Sequence, residues 1–256
     1  MNSPLLFNIE NELSRPKRIF TMMSGELKLT VHENKKYRWL AMDDTIQTVM
    51  DLTESHKPTF PHIHSMILSL YFQSSPQRIF ELGLGGGALT RFFTHHFPNV
   101  KTTTYEINQD IIDIYQKYFC SEQAASQNHQ IIAKDARLAV PSKELQDMII
   151  VDLFAGNQPP KFLNKRDFYQ DCKQSLTPEG LLIVNLLPTS NMQTLSIEKM
   201  LKDTFGNQPM IFSVPMYRNR IMMVSPSALP NIQFDDSLHK LCDTYSIDLM
   251  NIVQMK

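Results

Sequence analysis

The chain has only three cysteines, Cys120, Cys172 and Cys242, spread widely over 256 residues. That spacing excludes a zinc knuckle and a disulfide framework, both of which need closely set, paired thiols. Reduced thiols and a cytoplasmic home are the expectation. Surplus positive charge is also lacking: 25 basic and 26 acidic side chains leave a formal charge of −1. No cationic face is left over for a phosphate backbone, so nucleic acid is not an expected partner. Nor does any apolar run reach the ~20 residues that a membrane-spanning helix requires. The stretch from Met1 through Pro4 to Glu10 and Glu12 lacks the basic start and apolar core of a signal peptide. No membrane partner is expected. His62 and His64 stand two apart without a third ligand nearby, and no metal is expected.

What is present is enough apolar matter, 42% of the residues, to bury one large core with a small appendage. The fifteen methionines, with pairs at Met22–Met23 and Met222–Met223, read as adaptable core filler. Residues 26–42 alternate through Leu27, Leu29 and Val31, then Tyr37, Trp39 and Ala41, with polar Glu33–Lys36 between, which predicts a β-hairpin. A helix is predicted over 63–72. From Arg78 apolar strand candidates (78–82, 101–106, 129–133, 147–152, 180–187) alternate with helix-length segments (86–97, 108–119, 164–176, 190–204). That alternation predicts a parallel sheet with crossover helices, covered on both faces. Residues 209–214 and 220–224 read as an antiparallel pair at one edge, and 234–253 as a final helix. The expected division is a small β subdomain over 1–56, an α/β domain over 57–228 and a helical tail over 229–256.

The strongest chemical signal is the run Ile79-Phe-Glu81-Leu-Gly83-Leu-Gly85-Gly86-Gly87-Ala88, a strand passing through a glycine turn into a helix. Absent side chains let a ligand approach the backbone, and the helix start offers free N–H donors. Gly83, Gly85 and Ala88 also satisfy the dinucleotide fingerprint, so the neighbours must decide. Glu106 ends the next strand, where a carboxylate accepts hydrogen bonds from both ribose hydroxyls. Asp135-Ala136 follows the third strand, where an acid can take the exocyclic amine of adenine. Asp152 ends the fourth. Acids at the ends of four successive strands, Glu81 among them, ring the crevice where open α/β sheets bind ligands. The pattern fits S-adenosylmethionine enzymes better than NAD enzymes. The expected fold is a doubly wound, Rossmann-like methyltransferase fold with a mostly parallel seven-stranded sheet.

Four segments carry a more specific likeness. Tyr105-Glu106-Ile107-Asn108-Gln109-Asp110-Ile111-Ile112 resembles the Glu-Ile-Asp-x-x-Val-Ile stretch of the spermidine synthase (polyamine aminopropyltransferase) family. The segment from Asp152 through Pro160 and Leu163 to Phe168-Tyr169 is similar to that family's catalytic loop and aromatic pair. Leu40-x-x-Asp43-x-x-Ile46-Gln47 resembles the motif closing its small N-terminal β-domain, and Pro215-x-Tyr217 its Pro-x-Tyr. The likeness spans roughly residues 24–225, strongest in the middle. It implies decarboxylated S-adenosylmethionine or S-adenosylmethionine as co-substrate, a small-molecule acceptor of polyamine type and a homodimer. It also implies Asp152 as proton acceptor, His62 at the nucleotide's edge and Tyr217 at the substrate end, beside the residues read directly as nucleotide-binding: Glu81, Gly83, Gly85, Gly87, Glu106, Asp135 and Ala136.

The departures are equally specific. The catalytic loop's second acid is Ala155, the aspartate of the family's glycine turn is Gly86, and its hairpin glutamine is Leu27. Of the Tyr-His-Glu motif, Pro61-His62-Ile63 keeps only the histidine. Carboxylates that would hold a diamine are thus depleted. Glu81 stands where methyltransferases of this fold often carry an acid. Three readings stay open on these residues: aminopropyl transfer with a divergent acceptor site, small-molecule methyl transfer, and a nucleotide-binding homologue without catalysis.

Overall fold

The computed structural model describes residues 9–120, 128–154, 159–214, 216–233, 235–249 and 253–255. A single helical turn, α1 (Ile9–Glu12), precedes four strands: β1 (Lys17–Ser24), β2 (Leu27–Glu33), β3 (Tyr37–Met42) and β4 (Thr45–Asp51). Each pairs antiparallel with the next, making a four-stranded meander. The anticipated hairpin is its β2–β3 centre. The flanking strands were not anticipated, because β1 is half-exposed along its length and shows no clean apolar alternation. Their backbone ladders hold them in place.

The second sheet contains β5 (Arg78–Leu82), β6 (Lys101–Glu106), β7 (His129–Ala133), β8 (Gln146–Val151), β9 (Leu176–Leu186), β10 (Met210–Ser213), β11 (Arg220–Val224) and β12 (Val253–Met255). Their order is β12-β10-β11-β9-β8-β5-β6-β7. The five strands from β9 to β7 run parallel, and β11, β10 and β12 close the edge antiparallel. The seven anticipated strands are all there, and β12 extends the edge by one. The C-terminal segment therefore departs from the expected helical tail. Its helix, α7 (Asp236–Tyr245), stops at Ser246, which takes a left-handed conformation with φ 53°, and the chain returns to lay β12 against β10. Ladder pairing along an open strand edge won over weak helical periodicity.

Helices α2 (Pro61–Ile67), α3 (Ala88–His96), α4 (Gln109–Ile114), α5 (Arg166–Gln174) and α6 (Asn191–Phe205) pack against these sheets. Side chains alternate across each central strand, which sorts the core in two. Ile79, Met148, Ile150, Leu181 and Ile183 face one way, onto Ile63 and Met66 of α2 and Leu89, Phe92 and Phe93 of α3. Phe80, Leu82, Ile149, Val151, Leu182 and Val184 face the other, onto Phe168, Tyr169 and Cys172 of α5 and Ile197, Leu201 and Phe205 of α6. Phe92 and Phe93 are wholly buried, and each such ring contributes about 1.5–3 kcal/mol by leaving water.

A third apolar cluster matters most for the site. Leu29, Val31, Leu40 and Met50 of the meander pack with Leu84 of the glycine turn and with Ile111, Ile112, Tyr115 and Phe119 on α4 and the π-helical turn that continues it. The small sheet is thereby fixed over the glycine turn. Among the described residues no helix is long and apolar enough to cross a membrane.

Candidate functional site

The chain runs outward from β5 to β6 and β7, then crosses back to place β8 on the other side of β5. At such a switch point the loops leaving the strand ends diverge and open a crevice. Here the two loops touch closely: a Cβ on Gly83, whose φ is 101°, would lie 2.1 Å from the Asp152 carbonyl oxygen. Only glycine fits at that crossing.

The crevice is a cleft of about 370 Å³, lined by Gly83, Gly85, Glu106, Asp135, Ala136 and Asp152. Leu27, Met42 and Gln47 of the meander form one wall, and Leu153, Phe154, Pro160 and Phe162 form the wall beyond β8. Its size and mixed lining suit a nucleoside-sized molecule. Glu106 is held rigid by two backbone donors, Leu84 N–H to Oε2 at 3.1 Å and Asn108 N–H to Oε1 at 2.9 Å. Both oxygens keep lone pairs for further donors. Asp135 begins a short helical turn and accepts from the Arg137 backbone N–H at 2.9 Å and from Arg137 Nε at 3.0 Å. The Arg137 guanidinium beside it holds the Asp135 carboxyl below its ordinary value, and lies over the Phe162 ring at 5.4 Å.

Asp152 lines both this cleft and a smaller cavity beyond it. Burial pushes its carboxyl up to about 6, against the opposing pull of Asn185, whose Nδ2 donates to Oδ1 at 2.7 Å. Asn185 is itself oriented by Asn219, whose Nδ2 donates to Asn185 Oδ1 at 2.8 Å. This amide relay fixes which Asp152 oxygen is occupied and leaves the other for a substrate. Behind it lies Glu81, 2% exposed. Thr90 and Thr104 donate to its Oε2 at 2.6 and 2.8 Å, yet burial, with repulsion from Asp152 adding to it, drives Glu81 up to about 7.

Other expected residues lie outside the cleft. Gly87 starts α3 in a left-handed conformation, φ 68°, and a Cβ there would strike the Tyr115 ring, so it serves packing. His62 and Tyr217 line neither the cleft nor the smaller cavity behind it. His62 stacks on Phe60 at 5.3 Å with Tyr217 6.1 Å away, and burial lowers its pKa to about 4. Its neutral ring belongs to an aromatic cluster under α2. Ala155 and Pro215 lie outside the described residues. His56, His95 and His96 gather beside the C-terminal end of α3. The His56 and His95 rings stack 3.6 Å apart at 12°, so their in-plane lone pairs do not converge on one point.

Gln47, Asn185, Asn219 and Phe162 escaped the residue-level reading. Asn185 had a visible signal, as a lone amide in the apolar run Leu181–Leu187. Gln47 was seen only as part of a motif.

A doubly wound sheet with a reversed strand order, a glycine turn and acids on one crevice defines the methyltransferase-fold class of α/β transferases. The spermine/spermidine synthase domain model matches residues 61–236, and the chain accordingly belongs to that family, as an enzyme of the aminopropyltransferase class. A polyamine aminopropyltransferase of Chromobacterium violaceum is 28% identical over 186 residues, 72% of this chain and 71% of the relative. One from Neisseria meningitidis is 26% identical over 232 residues, 90% and 88% of the two chains. Among solved structures, a probable spermidine synthase of Corynebacterium glutamicum superposes with a TM-score of 0.73 at 18% identity, over 88% of this chain and 85% of that one. Human methyltransferase-like protein 13, solved with SAH, shares the fold at TM-score 0.56 and 22% identity, over 72% of this chain and 87% of that one.

Proposed function

We propose that the protein transfers an aminopropyl group from decarboxylated S-adenosylmethionine to an aliphatic amine of polyamine type. The observation that carries this reading is the convergence of Glu106, Asp135 and Asp152 on one cleft at the switch point. Glu106 would hold the ribose hydroxyls, Asp135 and Ala136 the adenine edge, and Asp152 the reacting end. An alkylammonium acceptor, with a pKa near about 10.4, is protonated at neutral pH and has no lone pair to attack with. Asp152, ionised above about 6, takes that proton. The freed nitrogen forms a bond to the sulfonium-bound methylene carbon as the C–S bond breaks, and the electron pair leaves with sulfur as a neutral thioether. General base action of this kind contributes about 10²- to 10⁴-fold, and alignment within the cleft adds to it.

A second reading, methyl transfer from S-adenosylmethionine, draws on Glu81, two residues before the first glycine. Incubation with either nucleotide and a panel of amines, read by mass spectrometry, separates the two. Methylthioadenosine and an amine heavier by one aminopropyl unit support the proposal, provided that Asp152→Asn abolishes both. Adenosylhomocysteine with a methylated acceptor overturns it. The same reading takes the protein as a cytoplasmic homodimer joined through the meander, which sedimentation at rising concentration tests.

A further inference from the structure

Behind the cleft lies a second, smaller cavity of about 30 Å³, sharing Gln47, Gly85 and Asp152 with it. That volume admits about one or two water-sized groups. None of its lining residues is cationic, and two of them, Glu81 and Asp152, are carboxylates. A further lining residue, Thr48, is 4% exposed, and its Oγ1 has no hydrogen-bond partner among the described residues. A buried hydroxyl without a partner is rare, and points to a group that is bound in use. Arg91, behind the wall, donates to the backbone oxygens of Ser55 and Gly86 and acts on Glu81 only through charge attraction, without a hydrogen bond to it.

We infer that this cavity is the seat of a primary alkylammonium head, held by the carboxylates of Glu81 and Asp152 and by the Thr48 hydroxyl. This deepens the function proposed above and rests on it for the identity of the molecule carrying the ammonium. Three N–H donors meet three oxygen acceptors, which is the full valence of an –NH₃⁺ group. The arrangement also accounts for Gly86. A Cβ on that residue would lie 1.8 Å from Thr48 Cγ2, so no carboxylate can enter from the glycine turn. Glu81 brings one up from β5 instead. Burial raises both carboxyls, to about 7 and about 6, and a cation seated between them would favour their charged forms.

The ammonium has two sources, the nucleotide's aminopropyl chain or the acceptor amine, and Glu81→Gln distinguishes them. Calorimetric titration is run with decarboxylated S-adenosylmethionine and with methylthioadenosine, which lacks the chain, beside the KM for a linear diamine. If the nucleotide's amine is held, Glu81→Gln weakens the aminopropyl nucleotide about ten- to a hundredfold and leaves methylthioadenosine unchanged. If the acceptor's amine is held, the diamine KM rises by that factor and nucleotide affinity stays. Thr48→Val, close to isosteric, gives the same pattern more weakly and guards against a folding defect in the first variant. The inference is overturned if both ligands keep their affinity in Glu81→Gln, or if methylthioadenosine weakens equally. An arm independent of the proposed function uses 1-aminobutane. It raises the melting temperature of the wild type and not of Glu81→Gln; equal shifts, or none in either, sink the ammonium seat. A shift confined to the wild type, in a protein that binds no decarboxylated S-adenosylmethionine, keeps the ammonium seat and sinks only the function proposed above.

Discussion

Glu81 makes the protein less stable at neutral pH than in mild acid, by an amount that can be worked out. Its carboxyl rises from an ordinary 4.5 to about 7 in the folded chain. At about 1.36 kcal/mol per pH unit, that displacement corresponds to about 3 kcal/mol. The sign follows from proton binding. Between the two values the folded state keeps a proton that the unfolded state has released, so the stabilisation is complete below about 4.5 and is lost as pH rises through about 7. Glutamine fills the same space, accepts from Thr90 and Thr104 with one oxygen as Glu81 Oε2 does, and does not titrate. Glu81→Gln should therefore melt close to the wild type near pH 5 and about 6–12 °C above it near pH 8, taking about 2–4 °C per kcal/mol. Scanning calorimetry across that range is the assay. Parallel curves for the two proteins would show that Glu81 is not forced to hold its proton, and the electrostatic account of the inner cavity would fail.

Asn185→Leu removes the donor that holds Asp152 in its charged form, so the rising limb of the rate against pH, set near 6 in the wild type, should move up by about one pH unit. An unmoved limb would show that Asp152 is not the titrating base. Glu106→Gln should weaken nucleotide binding about tenfold or more, with little change in the turnover of bound substrate, because the ribose lies away from the reacting centre. Gly86→Asp, which restores an acid common in the family, should lose stability by about 1–3 kcal/mol by driving a Cβ into Thr48. Adding Thr48→Gly should recover part of that loss in a urea titration.

Much of this molecule was legible along the chain. The apolar runs of β8 and β9 could only be central strands, because continuous apolar segments of strand length need cover on both faces. Acids placed after successive strands had to meet at one sheet edge, since parallel strands all end on the same side. Glu106, Asp135 and Asp152 were therefore brought together by local pattern alone, and the motif likeness placed them in a family.

The rest depended on contacts between segments remote in sequence. No local pattern says that Thr48 of the meander fills the space over Gly86, that Asn219 orients Asn185 and through it Asp152, or that His62 turns toward Phe60 rather than the cleft. Nor does periodicity reveal β1, which is half-exposed along its length and owes its place to its ladder with β2, or β12, which pairs with β10 from far along the chain. Strand ends and their charges are set by short-range chain geometry, whereas the shape of a cavity and the proton affinity of a carboxyl inside it arise only when distant walls close around it.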